Sequence, residues 1–167
     1  VALNNFMAAA RSLKLAARDF ETPEGKATMA NAVERYERLA SMKQYFIARL
    51  SKAPFPWGYV DGPNRIDILS ANRAGIRIKS GLIPWREVSP SQIAELIKRY
   101  VSDEVLSEGI KLRELADQYV NAAIFCALND WHAPAKVYSD AAVNLLSTMQ
   151  DDVDRLVPPP PADDAKE

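Results

Sequence analysis

The sequence predicts a mostly α fold of the α+β type, with a long N-terminal helical hairpin, a small three-stranded antiparallel meander and a C-terminal helical bundle. Apolar residues recur at helical spacing through residues 2–50 and again from residue 90 onward. Between residues 62 and 90, apolar and charged residues alternate with a period of two, and glycines bound the alternating stretches. We expect 1–157 to form a single domain that includes the meander at about 65–85.

Two helices are predicted before the meander. The first spans residues 2–20, and the second begins at Pro23, which suits the first helical position after the capping residue Thr22. Apolar residues then recur to about Leu50, and two prolines and a glycine within 52–58 end the helix. A short turn between two amphipathic helices favours an antiparallel hairpin. Three aromatic residues of the following linker are expected to cover its open end: Phe55, Trp57 and Tyr59.

The three strands of the meander are predicted over 65–71, 76–80 and 82–85. The segment Asn72–Gly75 fits a type I turn followed by a left-handed glycine, and Ser80–Gly81 fits a second tight turn. A meander of this size needs helices against one face. The isoleucines that alternate with charged residues define that face: Ile66, Ile68, Ile76 and Ile78.

The start of a third helix is the clearest local signal in the chain. Ser89 is a helix cap, Pro90 occupies the first helical position, and Gln92 completes a capping box. Val88 and Ile93 are spaced for a hydrophobic staple. The apolar face of this helix is predicted to consist of Ile93, Leu96, Ile97, Tyr100 and Val101.

Two further helices and a tail are predicted after it. The fourth helix begins at Ser107 or Glu108, presents an apolar face of mostly small residues and stops at Asn129 and Asp130. A turn over 131–134 leads to a fifth helix, which either extends through 151–156 or is followed by one more helical turn. Its apolar face is predicted to consist of Val137, Ala141, Ala142, Leu145 and Leu146. Residues 158–167 form a Pro-rich, charged tail that we expect to be disordered.

The charge is close to balanced overall but divided along the chain. Residues 1–101 carry 16 Lys and Arg against 9 Asp and Glu, whereas residues 102–167 carry 5 against 13. We expect the acidic C-terminal helices to neutralise the basic part. The sequence has no apolar run near the ~20 residues that a membrane span requires. Because it begins at Val1, we expect the chain to be part of a longer or leader-processed protein.

No catalytic, cofactor or metal site is predicted. Cys126 is the sole cysteine and His132 the sole histidine, so together they fall two ligands short of a zinc site. A Cys/His nucleophile would also need an orienting group and an oxyanion site, and the sequence identifies neither. Asp151, Asp152 and Asp154 are predicted to form a solvated acidic helix end. General acid–base catalysis needs two carboxylates that face each other across a substrate, whereas neighbouring residues on a helix point in different directions.

One binding surface is predicted, on the charged face of the meander. Five basic residues decorate this stretch: Arg65, Arg73, Arg77, Lys79 and Arg86. Such a strip suits phosphate groups. However, no aromatic residues are interleaved for base stacking, and basic edge residues also discourage sheet aggregation, so nucleic acid is not the favoured partner.

Two resemblances bear on architecture. Tyr119, Ala123, Ala135 and Ala142 resemble the pattern of a tetratricopeptide-type helix pair, although Cys126 and Ser139 stand where that motif has larger aromatic residues, and only one unit is present. The chain also resembles a helical module of uncharacterised bacterial proteins, some of which carry kinase domains. The residues that carry this second resemblance are Gly62, Ile66, Ala71, Gly75, Ile76, Ile78, Gly81, Pro84, Trp85, Val88 and Pro90. It implies a multidomain parent protein and no activity.

The sequence therefore favours a non-enzymatic structural or protein–protein interaction module of a larger bacterial protein. Its partner would be another protein or other domains of the same polypeptide, and a peptide would lie in a groove between the fourth and fifth helices. The alternative is a ligand-binding module that recognises an acidic polymer or nucleic acid through the basic face of the meander.

Overall fold

The computed structural model describes residues 5–61, 64–101 and 111–161. The helices are α1 (Phe6–Ala16), α2 (Pro23–Lys52), α3 (Pro90–Tyr100), α4 (Leu112–Ala127), α5 (His132–Leu145) and α6 (Gln150–Leu156). The strands are β1 (Phe55–Asp61), β2 (Asn64–Ala71), β3 (Gly75–Ile78) and β4 (Gly81–Pro84). Three short 3-10 turns follow α1, β4 and α5, at Ala17–Asp19, Trp85–Glu87 and Ser147–Met149. This arrangement confirms the predicted mostly α fold.

The chain divides into two compact units, unit 1 (Val1–Gly109) and unit 2 (Ile110–Glu167). The prediction of a single domain over 1–157 stays a prediction. Residues 162–167 of the expected tail lie outside the described residues.

In unit 1, α1 packs along α2 as the predicted hairpin. The hydroxyl oxygen of Thr22 accepts a hydrogen bond from the backbone N–H of Gly25 at 3.1 Å, so the predicted cap is confirmed. Lys14 and Glu37 form an ion pair of 2.5 Å between the two helices. The first helix ends earlier than predicted, because 17–19 tighten into a 3-10 turn. Its predicted start at residues 2–4 lies outside the described residues. The buried residues of α2 are Val33, Leu39, Ala40, Met42, Tyr45, Phe46 and Leu50.

The sheet is antiparallel with the order β1-β2-β3-β4, so the predicted meander is present as β2–β4 and gains a fourth strand. The prediction of a linker at this position was wrong. Residues 55–61 pair with β2, beginning with Phe55 opposite Ile68. An edge strand tolerates Pro56 because one row of its backbone N–H groups needs no partner in the sheet. The ring of Phe55 packs edge-on against Tyr100 of α3, with 5.9 Å between ring centroids.

Three of the four isoleucines of the predicted sheet face are buried, and Ile66 is half-buried. Ile68, Ile76 and Ile78 are 1%, 0% and 7% exposed, and β2 packs on α2. Every member of the predicted apolar face of α3 is also buried. Two tyrosine hydroxyls form hydrogen bonds between the C-terminal parts of α2 and α3. Tyr45 donates to the carbonyl of Tyr100 at 2.7 Å, and Tyr100 donates to the carbonyl of Ala53 at 2.5 Å.

The capping box of α3 is confirmed in both directions. The side chain of Ser89 accepts from the backbone N–H of Gln92 at 3.3 Å, and the side chain of Gln92 accepts from the N–H of Ser89 at 2.6 Å. These bonds satisfy donors that a helix start otherwise leaves unpaired. Local sequence alone was sufficient to place this boundary.

The turn between β2 and β3 differs from its prediction. The side-chain oxygen of Asn72 accepts hydrogen bonds from the N–H groups of Ala74 and Gly75 at 2.8 and 3.2 Å. The N–H of Asn72 donates to the carbonyl of Gly75 at 2.9 Å, which closes the turn. Gly75 does not have a positive φ, so the predicted left-handed glycine was wrong. A left-handed glycine is instead present at Gly81, where φ is 151°.

In unit 2, α4 is buried around its circumference. Twelve of its residues are buried, including the polar residues Gln118 and Asn121, whose side chains share a hydrogen bond of 3.3 Å. A helix apolar on all sides is typical of a core position. The helix begins at Leu112, because the backbone of Lys111 is extended with ψ of 140°. A continuous helix from Ser107 or Glu108 is therefore wrong, and 102–110 lie outside the described residues.

The turn between α4 and α5 is a Schellman motif. The N–H of Trp131 donates to the carbonyl of Cys126 at 2.9 Å, and the N–H of Asp130 donates to the carbonyl of Ala127 at 3.2 Å. Asp130 takes the left-handed conformation at φ 59°, where glycine is more usual. The helix end predicted at Asn129 and Asp130 thus lies within two residues of the observed one.

Helix α5 packs on α4 through small residues. Ala135, Ser139 and Ala142 are buried, and the rings of Tyr119 and Tyr138 stack with 6.3 Å between centroids. The prediction that Val137 belongs to the buried face was wrong, because this side chain is 64% exposed. A 3-10 turn separates α5 from α6, so the undecided segment 151–156 belongs to a helix of its own.

Candidate docking surface on the sheet

The structure brings two of the five predicted basic residues onto one surface. All five are exposed. Strand alternation places Arg65 and Arg77 on the side of the sheet opposite the buried isoleucines. Lys79 is the exposed residue that follows β3 directly, at the start of the turn to β4. Arg73 instead lies in the turn between β2 and β3, and Arg86 lies in the 3-10 turn after β4. The predicted strip is therefore divided among four places.

Two leucines share that side of the sheet with Arg77. Arg77 lies directly opposite Leu82 of β4 and opposite Ser70 of β2. A bulge between Ile68 and Ser70 places Leu69 beside the same position. Leu69 and Leu82 are 48% and 47% exposed. We name the surface formed by Arg65, Asp67, Leu69, Arg77 and Leu82 the outer sheet face.

Sequence reasoning missed these leucines, although a signal was present. Leu69 follows Ile66 and Ile68 at the alternate position that Arg65 and Asp67 occupy, which places it on the charged face. The alternation of Ile66 and Ile68 with Arg65 and Asp67 defines the two faces, and Leu69 was not assigned to either of them. Leu82 carried a weaker signal, because a four-residue strand shows little alternation.

The charge on and near this face is mixed. Alternation also places Asp67 on it. Nearby, Arg86 pairs with the neighbouring Glu87 at 3.6 Å, and both side chains are well exposed. A surface for an extended polyanion would instead present an unbroken row of cations with aromatic stacking partners. The outer sheet face is amphipathic rather than uniformly basic.

Several of the remaining sequence candidates have structural partners. Arg155 holds the carboxylate of Asp152 at 3.0 Å, and Gln150 donates to Asp154 at 2.7 Å, so the acidic helix end is bound to its own neighbours. Trp85 is 3% exposed and belongs to the core of unit 1. Trp131 packs edge-on against Phe125 with 6.1 Å between centroids. Trp57 lies in β1, at a position where only the backbone is described.

Iodoacetamide is expected to alkylate Cys126 far more slowly in the folded protein than in urea. Burial raises the pKa of this thiol from 9.0 to about 11. At pH 8 roughly one thiol in a thousand is then a thiolate, the form that reacts. Because the folded pKa lies above the unfolded one, the folded state also loses stability as the pH rises from about 9 to about 11.

Mass spectrometry of timed samples measures this alkylation, with free cysteine in the same tube as the reference thiol. Equal rates in the folded and unfolded protein would contradict a buried, protonated thiol. A nucleophilic role for Cys126 would then have to be considered again.

Within the described residues, no group of three or more His, Cys, Asp or Glu side chains is arranged to hold a metal ion. Over the same part of the chain, no helix is long and apolar enough to cross a membrane.

A groove of unit 2 lies between α5 and α6, and the groove expected between the fourth and fifth helices stays a prediction. Its volume is about 630 Å³, and Lys136, Asp140, Val153 and Pro158 are among the residues that line it. Lys136 and Asp140 pair across one helical turn at 2.9 Å, and Asp154 also lines the groove.

Comparisons with protein-family models, with curated proteins and with solved structures found no match for this chain.

Proposed function

We propose that this chain is a non-enzymatic protein–protein interaction module and that the outer sheet face is its docking surface. The observation that supports this proposal is the pair of half-exposed leucines, Leu69 and Leu82, on either side of Arg77. An apolar centre with charged groups around it is the usual composition of a protein interface. It contrasts with the cationic, aromatic composition of a nucleic-acid surface.

The charges on this face specify the kind of partner. Two cations and one carboxylate surround the leucines, so a partner segment with apolar and acidic residues complements them. An amphipathic helix with leucines at i, i+3 and i+4 and glutamates elsewhere has that composition, and helices of this kind commonly bind apolar surfaces. Covering each leucine would contribute roughly 1 kcal/mol, since half of its surface is already buried.

A designed peptide tests this proposal directly. We expect the full chain to bind a helical Leu/Glu peptide of that pattern and to bind its Leu/Lys counterpart much less. In NMR titrations the perturbed amides should cluster at Leu69, Arg77 and Leu82. Replacing Leu82 with serine should weaken binding about fivefold, and the R77E variant should weaken it further.

Val137→Ser is the matched control, because Val137 is an exposed apolar residue of α5 in unit 2. Its peptide affinity should equal that of the unmodified chain. Binding that is unaffected by Leu82→Ser, or equally strong for the lysine peptide, would exclude the outer sheet face as the docking surface.

The alternative, recognition of an acidic polymer or nucleic acid, is tested with the same variants. It requires salt-sensitive retention on heparin that is lost when Arg77 and Lys79 are replaced and is unchanged in Leu82→Ser. That result would support the alternative in place of a protein partner.

We also propose that α4 and α5 form a tetratricopeptide-like helix pair and that the chain is part of a larger bacterial protein. The buried small residues Ala123, Ala135 and Ala142 support the first of these, because they allow the two helices to approach closely.

A further inference from the structure

An open cleft of about 370 Å³ lies in unit 1, bordered by the start of α1, one side of α2 and the β2–β3 turn. We propose that this cleft, the Arg73 cleft, binds a single-chain anionic amphiphile. Its oxyanion head would pair with Arg73, and its apolar tail would lie on Phe6, Met7 and Ala40. This site is separate from the outer sheet face and does not depend on the function proposed there.

The turn that carries Arg73 is built to hold its position. Asn72 closes the turn through its side-chain oxygen, which accepts from Ala74 and Gly75. The indole N–H of Trp85, a buried residue, donates to the carbonyl of Asn72 at 2.7 Å. The N–H of Trp85 also bonds to the carbonyl of Ala74 at 3.4 Å. The guanidinium is therefore presented from a fixed backbone, which lowers the entropic cost of binding an anion.

The ionic groups at the cleft favour an anion. Lys43 also borders it and lies with its ammonium 5.0 Å from the centre of the Trp85 ring. The acidic residue in the lining, Glu37, is held by Lys14 at 2.5 Å. The first turn of α1 also borders the cleft, and the partial positive charge of a helix start adds to the same preference.

The shape of the cleft favours an elongated ligand. Glu37, Ala40, Ser41 and Gln44 lie along one side of α2 and border the cleft over about two helical turns, roughly 10 Å. Met7 is 46% exposed there, which leaves apolar surface that a hydrocarbon tail would cover. The planar fork of Arg73 matches a carboxylate or a phosphate head.

Calorimetric titration of the full chain with decanoate and with decyl phosphate, each below its critical micelle concentration, tests the site. We expect saturable binding with one molecule per chain for at least one of them, and the tighter ligand identifies the head group. Decanol, which has the same tail without charge, should bind at least tenfold more weakly. Arg73→Ala should weaken binding of the anion about tenfold or more.

Arg77→Ala is the matched control, because it removes the same charge from the outer sheet face and should leave the affinity unchanged. Ser41→Trp places a large side chain in the cleft from an exposed position of α2 and should abolish binding without unfolding the protein. The proposal is overturned if neither anion binds, if decanol binds as tightly, or if Arg73→Ala and Ser41→Trp retain full affinity.

Discussion

Trp85→Ala is expected to lower the free energy of unfolding of unit 1 by about 3–5 kcal/mol. Trp85 is 3% exposed, so its removal leaves a large cavity against the sheet. It also removes the indole donor that bonds to the carbonyl of Asn72 at 2.7 Å and the ring over which Lys43 lies. The β2–β3 turn and α2 thus lose a side chain that contacts both of them.

Urea unfolding followed by far-UV circular dichroism measures this loss, with amide exchange of Ile76 used to assign it to unit 1. Trp85→Phe keeps most of the ring and should cost about 1–2 kcal/mol, mainly for the lost hydrogen bond. The neighbouring Arg86→Ala is the surface control, since the Arg86 side chain is 73% exposed, and should change stability by less than about 0.5 kcal/mol. A Trp85→Ala protein as stable as the Arg86→Ala protein would contradict a core role for the tryptophan.

Gly75→Ala is expected to cost about 3 kcal/mol and to detach the edge strand β4. A Cβ at this position would lie 2.1 Å from the carbonyl oxygen of Ile83 and 2.8 Å from its carbon. Both are backbone atoms, so no side-chain rotation relieves the overlap and β3 must separate from β4. Leu82 would then leave the outer sheet face, and binding of the Leu/Glu peptide should fall together with stability.

The Gly81→Ala variant distinguishes the loss of stability caused by steric crowding from the loss caused by backbone conformation. Gly81 has φ of 151° and nothing within 4 Å of an added Cβ, so its replacement meets conformational strain alone, about 1 kcal/mol. The same urea titration compares the two variants, and hydrogen exchange at Ile76 and Ile78 should accelerate much more in Gly75→Ala. Equal losses in both variants would show that close packing of β3 against β4 does not explain the glycine at position 75.

Much of the fold could be predicted because its signals are local. Thr22 and Ser89 cap helices through hydrogen bonds to residues three positions away, and a short segment contains every atom involved. The isoleucines of β2 and β3 could be assigned to one face because alternation is a property of a single strand. The helix caps and the buried strand face could therefore be predicted without knowledge of distant parts of the chain.

Strand β1 could not be predicted for the opposite reason. Pro56 and Gly58 discourage regular structure locally, and only the unpaired edge of β2 makes a strand favourable there. The requirement for glycine at position 75 likewise comes from Ile83, a residue on the neighbouring strand. Both depend on atoms that are remote in sequence.

The outer sheet face likewise combines features that local sequence predicts with features that depend on distant residues. Sequence identified Arg65, Arg77 and Lys79 as surface residues because charged side chains at alternate strand positions face water. The register of three strands and a bulge determine that Arg65 and Arg77 lie beside Leu69 and Leu82, whereas Arg73 lies at a separate cleft.

By itself, the sequence determined the helical hairpin, the capped third helix, the alternating strands and the basic character of the meander, because periodicity and capping act within a few residues. Only the tertiary structure decided that the sheet has a fourth strand, that two leucines lie beside Arg77, and that Arg73 faces a cleft with α1 and α2. These features arise from pairing and packing between distant segments, whose free energy depends on which surfaces meet and not on the sequence of either segment alone.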